Sequence, residues 1–263
     1  MTVLQYAGQE LDVFAHARNW KRYWASKARP FLGGDVAEVG AGIGSNTPLL
    51  RPSAARSWTC LEPDPRLANR LREALDSDPE TRSCKVVVGT TASLKQEPQF
   101  DSIIYIDVLE HIADDKEELR RAAGLLRPGG TVVVLSPAHQ WLYTPFDQSI
   151  GHFRRYTTKT LAACTPSECD LVKILYLDSC GLLASLGNRL LLKQQNPSLR
   201  QIQFWDRYLV PGSVMFDPVF RFAVGKSILG VWRRLPESPS PHRSSANLDT
   251  ARLKSSASPG YRR

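Results

Sequence analysis

The sequence predicts a doubly wound α/β domain, a parallel sheet with helices on both faces. Three observations carry that prediction. Short apolar runs alternate with stretches of helical period, and each run is apolar on both faces, as a strand covered on two sides must be. A glycine-rich turn, residues 40–44, follows the first run directly. At 263 residues, 42% of them hydrophobic, the chain can bury one large core and carry a helical appendage.

Residues 9–29 have helical spacing, with Leu11, Phe14 and Arg18 and then Trp20, Tyr23 and Trp24 on neighbouring faces. Pro30 and the Gly33-Gly34 pair end that element. The next apolar runs are DVAEV (35–39), SWTCLE (57–62), KVVVG (85–89), DSIIYID (101–107) and TVVVLS (131–136). Between the second and third, Leu67, Leu71, Ala74 and Leu75 share a helix face, with Asp64 as N-cap and Pro65 in the first turn. Between the fourth and fifth, Leu119, Ala122, Ala123 and Leu126 form a stripe. Asp114 and Asp115 favour that helix's start, Glu117 pairs with Arg121, and RPGG (127–130) stops it. Residues 137–157 form a long aromatic segment without a strand, and loops at the carboxyl ends of strands are where this architecture builds sites. A short helix near 158–164 and a strand, DLVKILYLD (170–178), come next. The stretch 179–225 is helical, with Leu182, Leu183, Leu186 and Leu190 on one face. A last strand, KSILGVWRR (226–234), is expected to pair antiparallel at the sheet edge. The resulting division is an N-terminal helical cap (1–34), a core (35–178), an insert or lid (179–225), a final edge strand (226–235) and a tail (236–263).

The net charge of +8 would suit a nucleic-acid partner only if it lay on the folded part. It does not. From Arg233 onward seven basic residues face two acidic ones, a surplus of five, in a Ser- and Pro-rich stretch too poor in apolar side chains to fold. No nucleic-acid partner is expected. Five cysteines form no C-x-x-C pair, so a reduced setting with free thiols and no metal site is expected. The opening residues lack the apolar core of a secretory signal, which adds to a cytoplasmic expectation.

The glycine turn matches neither common nucleotide fingerprint. G-x-G-x-x-G would need glycine at Ser45, and no G-x-x-x-x-G-K-[ST] exists. The residues do spell E-x-G-x-G-x-G, from Glu38 through Gly40 and Gly42 to Gly44. This resembles the first motif of the class I S-adenosylmethionine-dependent methyltransferases, and the resemblance runs over roughly residues 36–160. It implies a Rossmann-like, seven-stranded sheet with the last strand antiparallel, S-adenosyl-L-methionine as cofactor and S-adenosyl-L-homocysteine as product. Glu38, Gly40, Ala41, Gly42 and Gly44 would form the cofactor loop, and Glu62, followed by Pro63, would take the ribose hydroxyls. Thr90 would flank the adenine, and Asp107, Val108 and His111 would complete the site. LLRPGGTVVVLSP (125–137) resembles the family's approach to its fifth strand. The run from DVLEH to GHFRRYT looks most like a bacterial small-molecule branch that includes quinone O-methyltransferases. The chemistry fits independently. The cofactor carries no phosphate, so the loop needs no lysine and has none, while Glu38 and Asp107 bring negative charge to a cationic ligand.

A hydroxyl acceptor calls for a base, and histidine suits neutral pH. His139, three residues past the fifth strand, and His152 are the candidates, beside a third option without any protein base. A nitrogen acceptor or an acidic phenol needs positioning more than deprotonation. Phe14, Trp20, Tyr23, Trp141, Tyr143 and Phe146 could line an acceptor pocket or merely pack in the core. Arg154 and Arg155 could bind an acidic group or pair at the surface. The expected function is O-methylation of a small molecule in a biosynthetic pathway. N-methylation of an amino group on a sugar or natural-product intermediate, or a repurposed cofactor-binding relative, stand as alternatives. Residues 179–225 could also touch a membrane surface.

Overall fold

A computed structural model describes residues 10–52, 55–187 and 198–236 of the chain. Seven strands form one sheet: β1 (Gly34–Val39), β2 (Ala55–Glu62), β3 (Lys85–Val88), β4 (Phe100–Ile106), β5 (Leu126–Pro137), β6 (Cys169–Leu177) and β7 (Ser227–Arg234). Their order is β3-β2-β1-β4-β5-β7-β6, with β1 to β5 parallel and β7 antiparallel to both its neighbours. The last strand is therefore not at the edge. It is inserted between β5 and β6, and β6 takes the edge instead. The reason is burial: Ile228, Leu229, Val231 and Trp232 are each shielded from solvent and need cover on both faces and both sides.

Side chains alternate between two cores, one on each face of the sheet. Val36, Ile104, Val133 and Leu229 pack with Trp20, Tyr23 and Trp24 on one face; Ala37, Ile103, Val132 and Ile228 pack with Leu119, Ala122 and Ala123 on the other. The helix on residues 65–76, α4 after the three earlier helices, starts as its sequence prescribes. Asp64 accepts from the Arg66 amide at 2.8 Å and Pro65 occupies the first turn. The helix over Asp115–Leu125, α5, is capped by Asp114, and Glu117 meets Arg121 at 3.2 Å.

The N-terminal element is two helices rather than one, α1 (Glu10–Phe14) and α2 (Arg18–Ala28). Ala17 gives α2 no side-chain cap, so its orphan amides are satisfied from afar. The amides of Asn19 and Trp20 donate to the carboxylate of Asp206 at 3.1 and 2.8 Å. After β1 comes α3 (Thr47–Leu50), and α6 (Pro145–Ser149) and α7 (Thr158–Ala162) follow β5. The insert comprises α8 (Ser179–Gly187), α9 (Leu199–Phe204), a π-helical turn (Trp205–Leu209) and α10 (Val210–Val219). Asp178 and Asp217 bind it to the core. Asp178 accepts from Trp205 Nε1 at 2.8 Å and Ser213 Oγ at 2.7 Å, while Asp217 accepts from Tyr23 Oη at 2.6 Å. The helix start at residue 9, Leu190 of the expected apolar face and residues 237–263 of the tail lie outside the described residues.

Candidate active site

The chain leaves β1 through Gly40, Gly42 and Gly44, all at positive φ (66°, 58° and 78°). At Gly40 any side chain is strained, because the backbone has a φ of 66° and a Cβ would fall 2.5 Å from Val108 Cγ2, so something would have to shift. The amides of Gly40 and Ala41 donate to the Leu61 carbonyl at 2.8 and 3.1 Å, which ties the loop to the end of β2. Glu62 closes the other side. Its Oε2 accepts from the Gly42 amide at 2.8 Å and its Oε1 from the Asp64 amide at 2.9 Å, leaving each oxygen a lone pair for a ligand. Burial raises the Glu62 carboxyl against those two amides. Gly44 serves packing, since a Cβ there would lie 2.8 Å from Leu71 Cδ1 on α4.

The loop opens into a cavity of 1720 Å³. Leu11, Phe14, Trp20 and Lys21 close it from the N-terminal helices, and Ile202 and Phe204 from the insert. Of the residues expected around the cofactor, Gly40, Ala41, Gly42, Glu62 and Pro63 line it from β1 and β2, and Thr90, Asp107, Val108 and His111 from β3 and β4. Asp107, at the end of β4, holds a φ of 53°, uncommon for a non-glycine residue. Its carboxyl is raised by burial, an effect that neighbouring basic groups, Lys21 among them, oppose.

Like Gly44, six further expected site residues lie outside the cavity lining. Glu38 stands behind the loop, outside the cavity lining; its Oε2 accepts from Thr47 Oγ1 at 2.8 Å and Trp58 Nε1 at 2.9 Å, and burial lifts it to about 7. His139 also lies outside the lining. A φ of 66° turns its ring away, onto Tyr176 at 4.8 Å between centroids, with Nε2 2.9 Å from the Gly225 carbonyl. Tyr23 is consumed by Asp217, and Trp141 lies exposed beside His139. Tyr143 donates to the His152 carbonyl at 2.6 Å, supporting the loop from outside the cavity. Arg154 pairs with Asp115 at 2.6 Å, away from the cavity lining. Among the other candidates, Phe14, Trp20, Phe146 and Arg155 do line it.

His152 faces the cavity, and its surroundings are built. Asp147 sits in a capping box with Thr144, and its Oδ1 lies 2.9 Å from His152 Nδ1. Arg155 Nε and Nη2 donate to Oδ1 and Oδ2 of the same carboxylate at 2.8 and 2.9 Å. Burial would raise Asp147, but the bonds from His152 and Arg155 outweigh it and hold the carboxyl well below its ordinary range. In the tautomer whose Nδ1–H donates to that anion, Nε2 is the accepting nitrogen. It lies 3.8 Å from Glu110 Oε1, beyond hydrogen-bond reach. Glu110 is fully buried; Ser136 Oγ donates to its Oε2 at 2.9 Å and its Oε1 has no partner. Burial, reinforced by the charge of Asp107, pushes the Glu110 carboxyl up. The His111 ring meets His152 edge-on at 4.5 Å, and burial with that neighbour lowers its pKa to about 4. The donor atoms of Glu110, His111 and His152 lie within 4.8 Å of one another.

Two residues escaped the sequence reading. Lys21 lies on a helix of mixed polarity, where a lysine reads as solvated. The fold instead buries it at the glycine loop, with Nζ donating to Ser45 Oγ at 2.7 Å and to its carbonyl at 3.3 Å. Burial lowers its pKa to about 8, opposed by Asp107 and Glu38. Nothing local signals this. Asp147 does leave a signal, the T-x-x-D box at 144–147 shortly ahead of His152, but that pattern reads as a helix cap.

The site fits a ligand that pairs a diol with a zwitterionic end. Glu62 offers acceptors at the loop, Lys21 and Asp107 offer opposite charges, and the buried Asn46 Oδ1 and Glu110 Oε1, both in cavity-lining residues, have no partner. Comparison with known proteins agrees. Residues 37–132 match the family model of a methyltransferase domain. The chain is similar to the ubiquinone biosynthesis O-methyltransferase of Bradyrhizobium diazoefficiens, 27% identical over 111 residues, 42% of this chain and 43% of that one. It is similar too to the mitochondrial ubiquinone biosynthesis O-methyltransferase of Arabidopsis thaliana, 29% identical over 111 residues, 41% of this chain and 34% of that one. The match thus spans less than half the length of either relative. In fold the chain resembles Haemonchus contortus phosphoethanolamine N-methyltransferase 2 in complex with S-adenosyl-L-methionine. The TM-score is 0.57 at 14% identity, covering 87% of this chain and 58% of that one.

Proposed function

We propose that this chain, which belongs to the class I S-adenosylmethionine-dependent methyltransferases, moves a methyl group from S-adenosyl-L-methionine to a hydroxyl of a small acceptor. The observation that carries the hydroxyl is His152, an imidazole oriented by Asp147 inside the cavity that the glycine loop and Glu62 also line. When bound, the cofactor supplies an electrophilic methyl group. The rest is work for the chain. Gly40, Ala41 and Gly42 let the backbone approach the ligand without a side chain between, and Glu62 accepts from its vicinal hydroxyls. Lys21 and Asp107 take the carboxylate and the ammonium of its amino-acid end. Thr90, Val108 and His111 flank its base. Phe14, Trp20 and Phe146 exclude water from the methyl path, which a displacement reaction requires. His152 takes the acceptor's proton at Nε2, and the Asp147 carboxylate, held by Arg155, stabilises the imidazolium that results. The test is to incubate the protein with S-adenosyl-L-methionine and matched phenol, catechol and amine acceptors, and to weigh the products. Methylated hydroxyls support the reading; methylation of amines alone rejects it.

A further inference from the structure

The insert has two faces of different chemistry. Between residues 179 and 226 the sequence holds two acidic residues, Asp206 and Asp217, against six basic ones. Both acids are buried and spent on structure, Asp206 as the distant cap of α2 and Asp217 on Tyr23 Oη and the amides of Asp178 and Ser179. The outer face is left with positive charge only, from exposed Arg200, Arg207 and Arg221. Between these arginines it presents large apolar side chains to solvent: Phe204 is 57% exposed, Tyr208 59%, Met215 60% and Val219 71%. The Phe204 and Tyr208 rings meet at a tilt of 44°, 5.2 Å between centroids, outside the core. A soluble surface seldom keeps so much apolar area in one place without a partner.

We propose that this face docks the chain onto an anionic phospholipid surface, with the apolar side chains among the acyl chains and the arginines at the headgroups. The charge pattern selects the occupant. Arginines interleaved with exposed aromatic and aliphatic residues, and the removal of every acid from the face, match a negatively charged bilayer. No described helix is long and apolar enough to cross a membrane, so the contact is interfacial. Phe204 belongs to both surfaces: it is exposed on the outer face and, with Arg200, lines the cavity. The cavity therefore reaches the docking face, and the acceptor is one that partitions into the bilayer. That second part rests on the methyl-transfer reading; the docking does not.

The test is co-sedimentation of the full chain with vesicles of phosphatidylcholine alone or mixed with phosphatidylglycerol. The Met215→Gln/Val219→Gln variant, which alters no charge and no cavity-lining residue, runs beside it. Wild type is expected to bind the mixed vesicles and to keep part of that binding at high salt, where attraction through the basic tail is screened. The variant is expected to partition roughly tenfold to a hundredfold more weakly, while its melting temperature and affinity for S-adenosyl-L-methionine stay unchanged. Wild type that stays in the supernatant, or a variant that binds equally well, overturns the proposal. So does a wild type that forms dimers without lipid while the variant is monomeric, because the occupant is then a second copy. Loss of S-adenosyl-L-methionine binding in wild type would sink the methyl-transfer reading and leave the vesicle result standing.

Discussion

His152 Nδ1 lies 2.9 Å from Asp147 Oδ1, and Arg155 donates to both oxygens of the same carboxylate. One anion thus fixes the tautomer of the imidazole and the orientation of the loop that carries it. If His152 is the base, His152→Gln should lower kcat by about a hundredfold to ten-thousandfold with a small change in KM. Asp147→Asn should lower kcat by at least roughly tenfold, because the amide no longer holds Nδ1–H in place. Steady-state kinetics on the preferred hydroxyl acceptor decides it, and full activity in His152→Gln would show that the acceptor needs no base from the protein.

His139 gives the contrasting expectation. It stacks on Tyr176 and bonds the Gly225 carbonyl, so His139→Phe should leave kcat within about twofold while unfolding becomes easier by about 1 kcal/mol. Chemical denaturation and activity measured on one preparation check this. Inactivation without loss of stability would return His139 to the chemistry.

Lys21 yields a prediction with a sign. Its pKa falls from 10.5 to about 8 because burial disfavours the charged form, so the folded state binds that proton less readily than the unfolded chain. The cost appears as pH drops from 10.5 towards 8 and is complete below that range, where it reaches roughly 3 kcal/mol. Lys21→Met should therefore stabilise the ligand-free protein at neutral pH, and the gain should shrink near pH 10.5. The same change should weaken S-adenosyl-L-methionine binding about tenfold, by removing a partner for its carboxylate. Urea unfolding at the two pH values and a binding titration measure both arms. A variant that binds as tightly as wild type contradicts the assignment of Lys21 to the ligand.

Gly40→Ala tests the loop itself. The new methyl would lie 2.5 Å from Val108 Cγ2 at a φ of 66°, so the turn must deform. Ligand affinity should fall at least about a hundredfold, with melting lowered by a few degrees. Unchanged binding would mean that the ligand does not lie on this backbone.

Much of this was legible in the sequence, for identifiable reasons. Parallel strands buried on two faces leave apolar runs, so β1, β4 and β5 could be read directly, and the KVVV run marked β3 although it is only partly buried at the sheet edge. Glycines forced to positive φ are written into the chain at 40, 42 and 44. The apolar run of β7 called for cover, but no local pattern says which strands supply it, so its place between β5 and β6 was missed. Distance from a strand end brought His139 near the site without fixing its direction; its backbone turns the ring onto Tyr176. Lys21 and Asp206 were invisible for a shared reason. Each acts on a partner far along the chain, Ser45 in one case and the start of α2 in the other, and only the folded protein brings them together.

The most direct test of the central claim is calorimetric titration of the protein with S-adenosyl-L-methionine, with NADH as control and the Glu62→Ala variant beside wild type. Glu62 holds the loop at Gly42 and offers acceptors to a diol, so wild type should bind S-adenosyl-L-methionine with a micromolar constant, the variant at least about tenfold more weakly, and NADH not at all. Binding of NADH, or no binding of S-adenosyl-L-methionine by wild type, would contradict the account.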